Sequence, residues 1–237
     1  MTTTQLTIVS ALKAENFMQK FTTANPSLNF MREIGFAIQA VQANPYLSTL
    51  PQESILQSVY NVALTGLSLN PVLKEAYLVP FKGKCTLMPG YQGLIKIITD
   101  GGAVTNVSAD IVYDKDEFEI IKGSEPQVIH RPKFLSSEII GAYAIAFIKT
   151  GSIQIEFMTL KELQIIKGRS AAGSSGQSPW STDFNEMCRK TVIRRLYKYL
   201  PKSYISEIAQ KVLSLDDEAG ELNKSKIVDI LKIESNE

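Results

Sequence analysis

Leu67–Lys96 reads LSLNPVLKEAYLVPFKGKCTLMPGYQGLIK, and the order of residue types in it decides the local fold. Ala76 to Phe81 is a run of β-branched and aromatic residues, Lys82-Gly83 supplies turn chemistry, and Lys84 to Met88 resumes an apolar, strand-like run. The segment predicts a hairpin with a cationic tip. Pro89-Gly90 breaks the second strand. From Tyr91 to Ile98 the apolar positions Leu94, Ile95 and Ile98 follow helical spacing until Gly101-Gly102 stops them, so Tyr91, Gln92 and Lys96 fall on the first turns of a helix.

Upstream, the chain reads as a helical N-terminal lobe over residues 1–70. Asn25-Pro26 is taken as the cap and first turn of a helix carrying Phe30, Ile34, Ile38 and Val41. Pro51 opens another with Ile55, Val59, Val62 and Leu64. Downstream, short apolar runs at Val104–Val107, Ile111–Ile121, Gln127–His130, Ile139–Ile148 and Ile153–Met158 are separated by glycine, proline and charged turns. This pattern predicts an antiparallel sheet. Thr150-Gly151 fits the last hairpin turn, and Thr159 with Glu162 forms a capping-box pattern that launches a short helix. The expected class is α+β: a helical lobe at 1–70, an α+β core at 71–214, and an acidic tail at 215–237. Within the core, Arg169–Pro179 (RSAAGSSGQSP) is too poor in apolar residues to offset the entropy of ordering and is expected to be a flexible loop.

From Asp183 to Leu200 the pattern is amphipathic. At about 100° per residue, Phe184, Cys188, Val192, Leu196 and Leu200 share one arc, while Lys190, Arg194 and Lys198 line up on the other side. Like charges at this spacing repel by a few tenths of a kcal/mol each, so the row is favourable only when an anion faces it. Arg189 and Arg195 lie at the borders of the apolar arc, where an acid of a neighbouring element is an alternative partner.

Two blocks together resemble the RecT family of phage and prophage single-strand DNA annealing proteins. One is LSLNP with the AYLVPF strand and LMPGYQGLIKI; the other is PWSTDFNEMCRKTVIRRLYKYLP from Pro179 to Pro201, a tryptophan followed by a basic helix. The resemblance implies ATP-independent binding of single-stranded DNA and annealing through a duplex intermediate. It also implies assembly into rings or helical filaments, a partner exonuclease and contact with the host single-strand binding protein. On this reading Lys82, Lys84, Tyr91, Gln92, Lys96, Arg189, Lys190, Arg194, Arg195 and Lys198 are the candidate DNA-binding residues, drawn from two distant stretches that would line one furrow. Tyr91 either stacks on bases or covers the hairpin, and Trp180 either anchors the basic helix by burial or stacks on a base.

Composition bounds the alternatives. The 237 residues, 44% hydrophobic and 21% charged, suit a globular protein with a real core. No apolar run approaches the roughly 18 residues of a membrane span, and the N-terminus lacks the basic start and apolar stretch of a signal peptide, so the chain is expected to stay in the cytosol, which the resemblance implies is that of a bacterial host cell. Cys85 and Cys188 have no metal-ligand spacing and are read as buried free thiols. His130 is the single histidine, read as an ordinary, partly exposed side chain. No glycine-rich loop precedes a Lys-Ser or Lys-Thr pair, so no cofactor is required, ATP included; an effect of Mg²⁺ on DNA binding is left open. The net charge is +1, but Asp216–Glu237 carries seven acids and three lysines, a net of −4, leaving +5 on the remainder. Two other classes stand beside the binding reading. One is a metal-dependent nuclease using Asp110, Asp114, Asp116 and Glu117; the other is a protein-interaction scaffold whose basic helix meets an acidic partner.

Overall fold

In a computed structural model of the protein, residues 3–170, 178–201 and 210 are described. Of the expected loop at 169–179, residues 171–177 lie outside the described residues, as does the acidic tail at 215–237. The fold is α+β, and the described residues up to 201 form two compact units, one within Met1–Ile97 and the other within Ile98–Tyr204.

The first unit is built from α1 (Thr3–Leu12), α2 (Glu15–Ala24), α3 (Phe30–Ala43), a 3₁₀ turn (Pro45–Thr49) and α4 (Gln52–Thr65). The hairpin β1 (Ala76–Phe81) and β2 (Lys84–Pro89) and the helix α5 (Tyr91–Asp100) follow. Its core contains Leu12, Phe21, Ile34, Ile55, Val59 and Leu67, all essentially inaccessible to water. The start of α3 corrects the sequence reading. Asn29, not Asn25-Pro26, is the N-cap, its side chain accepting from the Arg32 N–H at 3.0 Å. Asn25 instead closes α2 and donates through Nδ2 to the Ala63 carbonyl at 3.1 Å. A cap must sit three residues before the N–H it satisfies, and Asn29 is the residue at that distance.

The second unit holds a three-stranded antiparallel sheet in the order β3 (Val104–Tyr113), β6 (Ile139–Ile148), β7 (Ile153–Thr159), and a separate hairpin of β4 (Glu117–Ile121) with β5 (Gln127–Arg131). Helices α6 (Leu160–Arg169), α7 (Pro179–Thr182) and α8 (Phe184–Tyr197) complete it. The run read as Ile111–Ile121 is two strands. Asp116 donates its N–H to the Tyr113 carbonyl at 3.0 Å and closes a turn over Asp114-Lys115, where two successive charged residues fit solvent and not a sheet. The capping box forms as read: Thr159 Oγ1 accepts from the Glu162 N–H, and Glu162 Oε2 accepts from the Thr159 N–H at 2.9 Å.

On β6, Ala142, Ala144 and Ala146 are fully buried on one face, and their small side chains let α8 lie close across the sheet. The other face receives the β4–β5 hairpin through Phe118, whose ring centroid lies 5.4 Å from that of Tyr143 and 5.3 Å from that of Phe157. Gly141 makes room for this, because a Cβ there would stand 2.6 Å from Phe157 Cζ. Among the described residues no helix is long and apolar enough to cross a membrane.

Candidate nucleic-acid interface

The hairpin of the first unit pairs in full register from Ala76↔Pro89 to Phe81↔Lys84. Its two-residue tip has Lys82 at φ +48° and Gly83 at φ +73°, both left-handed, which is the geometry a twisted hairpin needs. The turn leaves Lys82, Gly83 and Lys84 exposed, with Lys82 Nζ 5.2 Å from the centre of the Phe81 ring. Cys85, Thr86 and Leu87 are buried in succession on β2, and Cys85 is fixed on both sides of its peptide: its N–H donates to Ser54 Oγ at 3.0 Å and its carbonyl accepts from Ser58 Oγ at 2.8 Å. The tip therefore projects from an anchored ladder instead of swinging on a loop.

The far end of the hairpin is held by two carboxylates that the sequence reading passed over. Glu33, fully buried on α3, accepts from Ser68 Oγ at 2.7 Å and from the Leu69 N–H at 2.8 Å. Glu75 accepts from the Ser68 N–H at 2.8 Å, and its carbonyl accepts from the Gly90 N–H at 2.8 Å. A buried charge is tolerated where hydrogen bonds replace its water, and these do so. Gly90 and Gly93 are required here: a Cβ on either would overlap the carbonyl oxygen of Lys74 or Glu75. The start of α5 is thereby locked against residues 74–75, with Gln92 exposed and Tyr91 and Lys96 half-buried.

In the second unit, α8 buries more than the single arc read from its sequence. Thr191 and Ile193 join Cys188, Val192 and Leu196 inside, so Lys190 and Arg194 are half-buried at the margins and Lys198, just beyond the helix, is exposed. Arg189 donates to Asp110 Oδ1 at 3.0 Å and to Glu186 Oε1 at 2.9 Å. Arg195 meets the buried Glu156 through Nε at 3.0 Å and Glu162 through Nη1 at 2.6 Å, tying α8 to β7 and α6. The Arg195 hydrogen bond holds the Glu162 carboxyl below its ordinary range, with the Thr159 bonds adding to it. Both arginines thus have carboxylate partners, the alternative the sequence left open for them. Trp180 is buried and packs on Phe184 at 5.9 Å between ring centroids, as an anchor for α8. The two free thiols are buried, and burial pushes Cys85 up to about 11 and Cys188 up to about 12.

His130 departs from expectation. It lies within β5, its side chain only 6% exposed, with Nε2 3.1 Å from Asp116 Oδ2 and Nδ1 3.2 Å from the Tyr143 hydroxyl. Both ring nitrogens are thereby within hydrogen-bond distance of a polar partner. The aromatic ring of Phe118 covers it edge-on at 5.6 Å. Asp116 is held below the usual carboxylate range first by the Lys133 and Tyr113 N–H groups and then by His130. The Tyr143 phenol is pushed up, by burial and by Asp110. The Asp-His-Tyr chain links the turn before β4, the strand β5 and the strand β6, and so fastens a hairpin to a sheet. The remaining acids are committed as well: Asp114 to Lys115 at 2.9 Å, and Glu117 to Arg131. Among the described residues no group of three or more potential metal donors converges.

These surfaces hold exposed cations at the hairpin tip and beyond α8, with one half-buried phenol ring at the start of α5. The RecT family matches residues 29–229 of the chain. Protein RecT of Escherichia coli (strain K12) is 31% identical over 220 residues, which span 89% of this chain and 80% of that protein. The chain belongs to the RecT family, a family of DNA recombination proteins.

Proposed function

We propose that the protein binds single-stranded DNA and anneals it to a complementary strand without ATP. The observation that carries this reading is the match to the RecT family across 29–229, which contains both cationic segments. Lys82, Lys84, Lys96, Lys190, Arg194 and Lys198 contact phosphates, Gln92 and the amides at the start of α5 bind the backbone, and Tyr91 stacks on a base. Arg189 and Arg195 act one step removed, holding α8 through their carboxylate partners.

The physics is that of a template. Neutralised phosphates remove the repulsion between two strands, held bases cannot fold back on themselves, and Watson–Crick pairing supplies the specificity. No bond is made or broken, and self-association into a ring or filament extends the surface over many nucleotides. A partner exonuclease would supply the single strand, and the host single-strand binding protein would compete for it or hand it over.

Six phosphate contacts on a single strand correspond to a slope of log K against log salt of about −4, or roughly 300-fold weaker binding at 200 mM than at 50 mM salt. Titration of oligonucleotides of unrelated sequence tests this: a slope near zero contradicts the reading and favours a protein partner for the basic helix. Incubating the same end-labelled oligonucleotide with Mg²⁺ separates annealing from cleavage, since a nuclease would shorten it.

A further inference from the structure

Besides its cations, the first unit holds apolar side chains in water. Val72 is 82% exposed, and Leu73 and Tyr77 are each 44% exposed. Val72 and Leu73 belong to one rigid turn, and Tyr77 stands on β1 just after it. Asn70 Oδ1 accepts from the Val72 N–H at 3.0 Å, the Asn70 carbonyl accepts from the Leu73 and Lys74 N–H groups at 3.1 and 3.3 Å, and Lys74 takes the left-handed conformation at φ +53°. Glu33 grips Ser68 and Leu69 before the turn, and the carboxylate of Glu75, just after it, reaches back to the Ser68 N–H and closes the loop at its base. The carbonyl of Lys74 sits against Gly90, and an added Cβ there would stand 3.1 Å from Tyr77 Cε2, so the turn and the start of α5 form one ledge. A mobile loop could fold such side chains inward; a loop stapled at both ends presents them.

Cations outnumber acids along this segment. Between Leu67 and Lys96 the sequence has four lysines, Lys74, Lys82, Lys84 and Lys96, and one acid, Glu75, whose carboxylate is bonded to the Ser68 N–H. An apolar turn that carries one lysine, at the base of a hairpin whose tip carries two more, matches a ligand with apolar faces and anionic links, which describes a single nucleic-acid strand. From Ala76 to Phe81 the hairpin rises about 17 Å, the distance a strand spans between the ledge and the lysines of the tip.

We propose that Val72, Leu73 and Tyr77 form a base-contacting ledge, on which unstacked bases lie while the surrounding lysines hold the phosphates. The inference rests on the single-strand reading above and adds to it the residues that keep bases apart. The probe is an oligonucleotide carrying 2-aminopurine, whose fluorescence rises when its base unstacks. With the full-length protein, Val72→Ser/Leu73→Ser should reduce the fluorescence rise per bound protomer by at least half and weaken binding roughly tenfold, the scale of a lost base contact. The salt slope should stay that of the wild type, because no phosphate contact has gone. Val72→Thr/Leu73→Gln, closer in shape, should act in the same direction, and an unchanged melting temperature for either pair certifies the fold. An unchanged fluorescence rise overturns the ledge; so does a reduced salt slope, which would make its action electrostatic. A smaller sedimenting mass without DNA, with the rise per bound protomer intact, overturns it in favour of a contact between copies. Failure of the wild type to bind any oligonucleotide at low salt would instead remove the single-strand reading itself.

Discussion

Replacing Arg195 by alanine separates an arginine that holds the fold from one that holds DNA. Its Nε faces Glu156, a residue 7% exposed, and its Nη1 faces Glu162 in a pair whose side chains are 38% and 41% exposed. The first contact is a charge-assisted hydrogen bond to a buried carboxylate, worth about 1.5 to 3 kcal/mol, and the second a surface pair worth about 0.2 to 1 kcal/mol. Arg195→Ala should therefore cost about 2 to 3 kcal/mol, or roughly 5 to 10 °C in melting temperature for a chain of this size. The loss should depend on pH. The Glu162 carboxyl is lowered in the folded state from its ordinary value of 4.5, so its contribution is complete above that value and disappears as pH falls through the lowered one. The gap between wild type and variant should accordingly be full at neutral pH and narrow in acid below 4.5. Thermal melting between pH 7 and pH 3, run beside oligonucleotide binding, is the assay. A variant that melts like the wild type and yet has lost DNA affinity would refute the assignment and place Arg195 on the strand.

Arg194→Ala with Lys198→Ala should leave the protein folded and flatten the salt slope by about 1.4, as expected for two phosphate contacts on a single strand; an unaltered slope would take the row off the DNA. Glycine substitutions should have opposite signs. Gly93→Ala forces a methyl into the Glu75 carbonyl and should destabilise by about 2 kcal/mol or more despite the better helix former, whereas Gly35→Ala in α3 meets nothing within 4 Å and should stabilise by about 0.5 to 1 kcal/mol, both read by chemical denaturation. Cys85 and Cys188, buried and raised to about 11 and about 12, should resist alkylation at pH 8 in the folded protein and react fully in denaturant; rapid modification of either without unfolding would contradict its burial.

Much of this architecture could be read directly because it is local. The Lys82-Gly83 turn, the capping box of Thr159 and Glu162 and the stop at Gly102 each depend on neighbours within a few residues, and each stands where the sequence places it. The interface was legible to the extent that cations recur at hairpin and helix spacing. What escaped is non-local. Nothing near Glu33 in the chain announces that its carboxylate closes on Ser68 and Leu69. The histidine that looked ordinary is enclosed by a carboxylate from the preceding turn and a phenol from another strand. Arg189 and Arg195 were distinguishable only in part: their place at the border of the apolar arc was visible, but the acids that meet them come from β3, β7 and α6 as well as their own helix. The exposed ledge at Val72 and Leu73 gave one sequence signal, two apolar residues directly after an Asn-Pro turn, where burial is not the rule.

Annealing itself is the most direct test. Two complementary oligonucleotides, one carrying a fluorophore and the other a quencher, are mixed with the protein in buffer free of ATP, and the pairing rate is compared with that of the strands alone. The account predicts pairing many times faster than the spontaneous rate, with the acceleration declining as salt rises. Pairing at the spontaneous rate, at protein concentrations that saturate both strands, would contradict it.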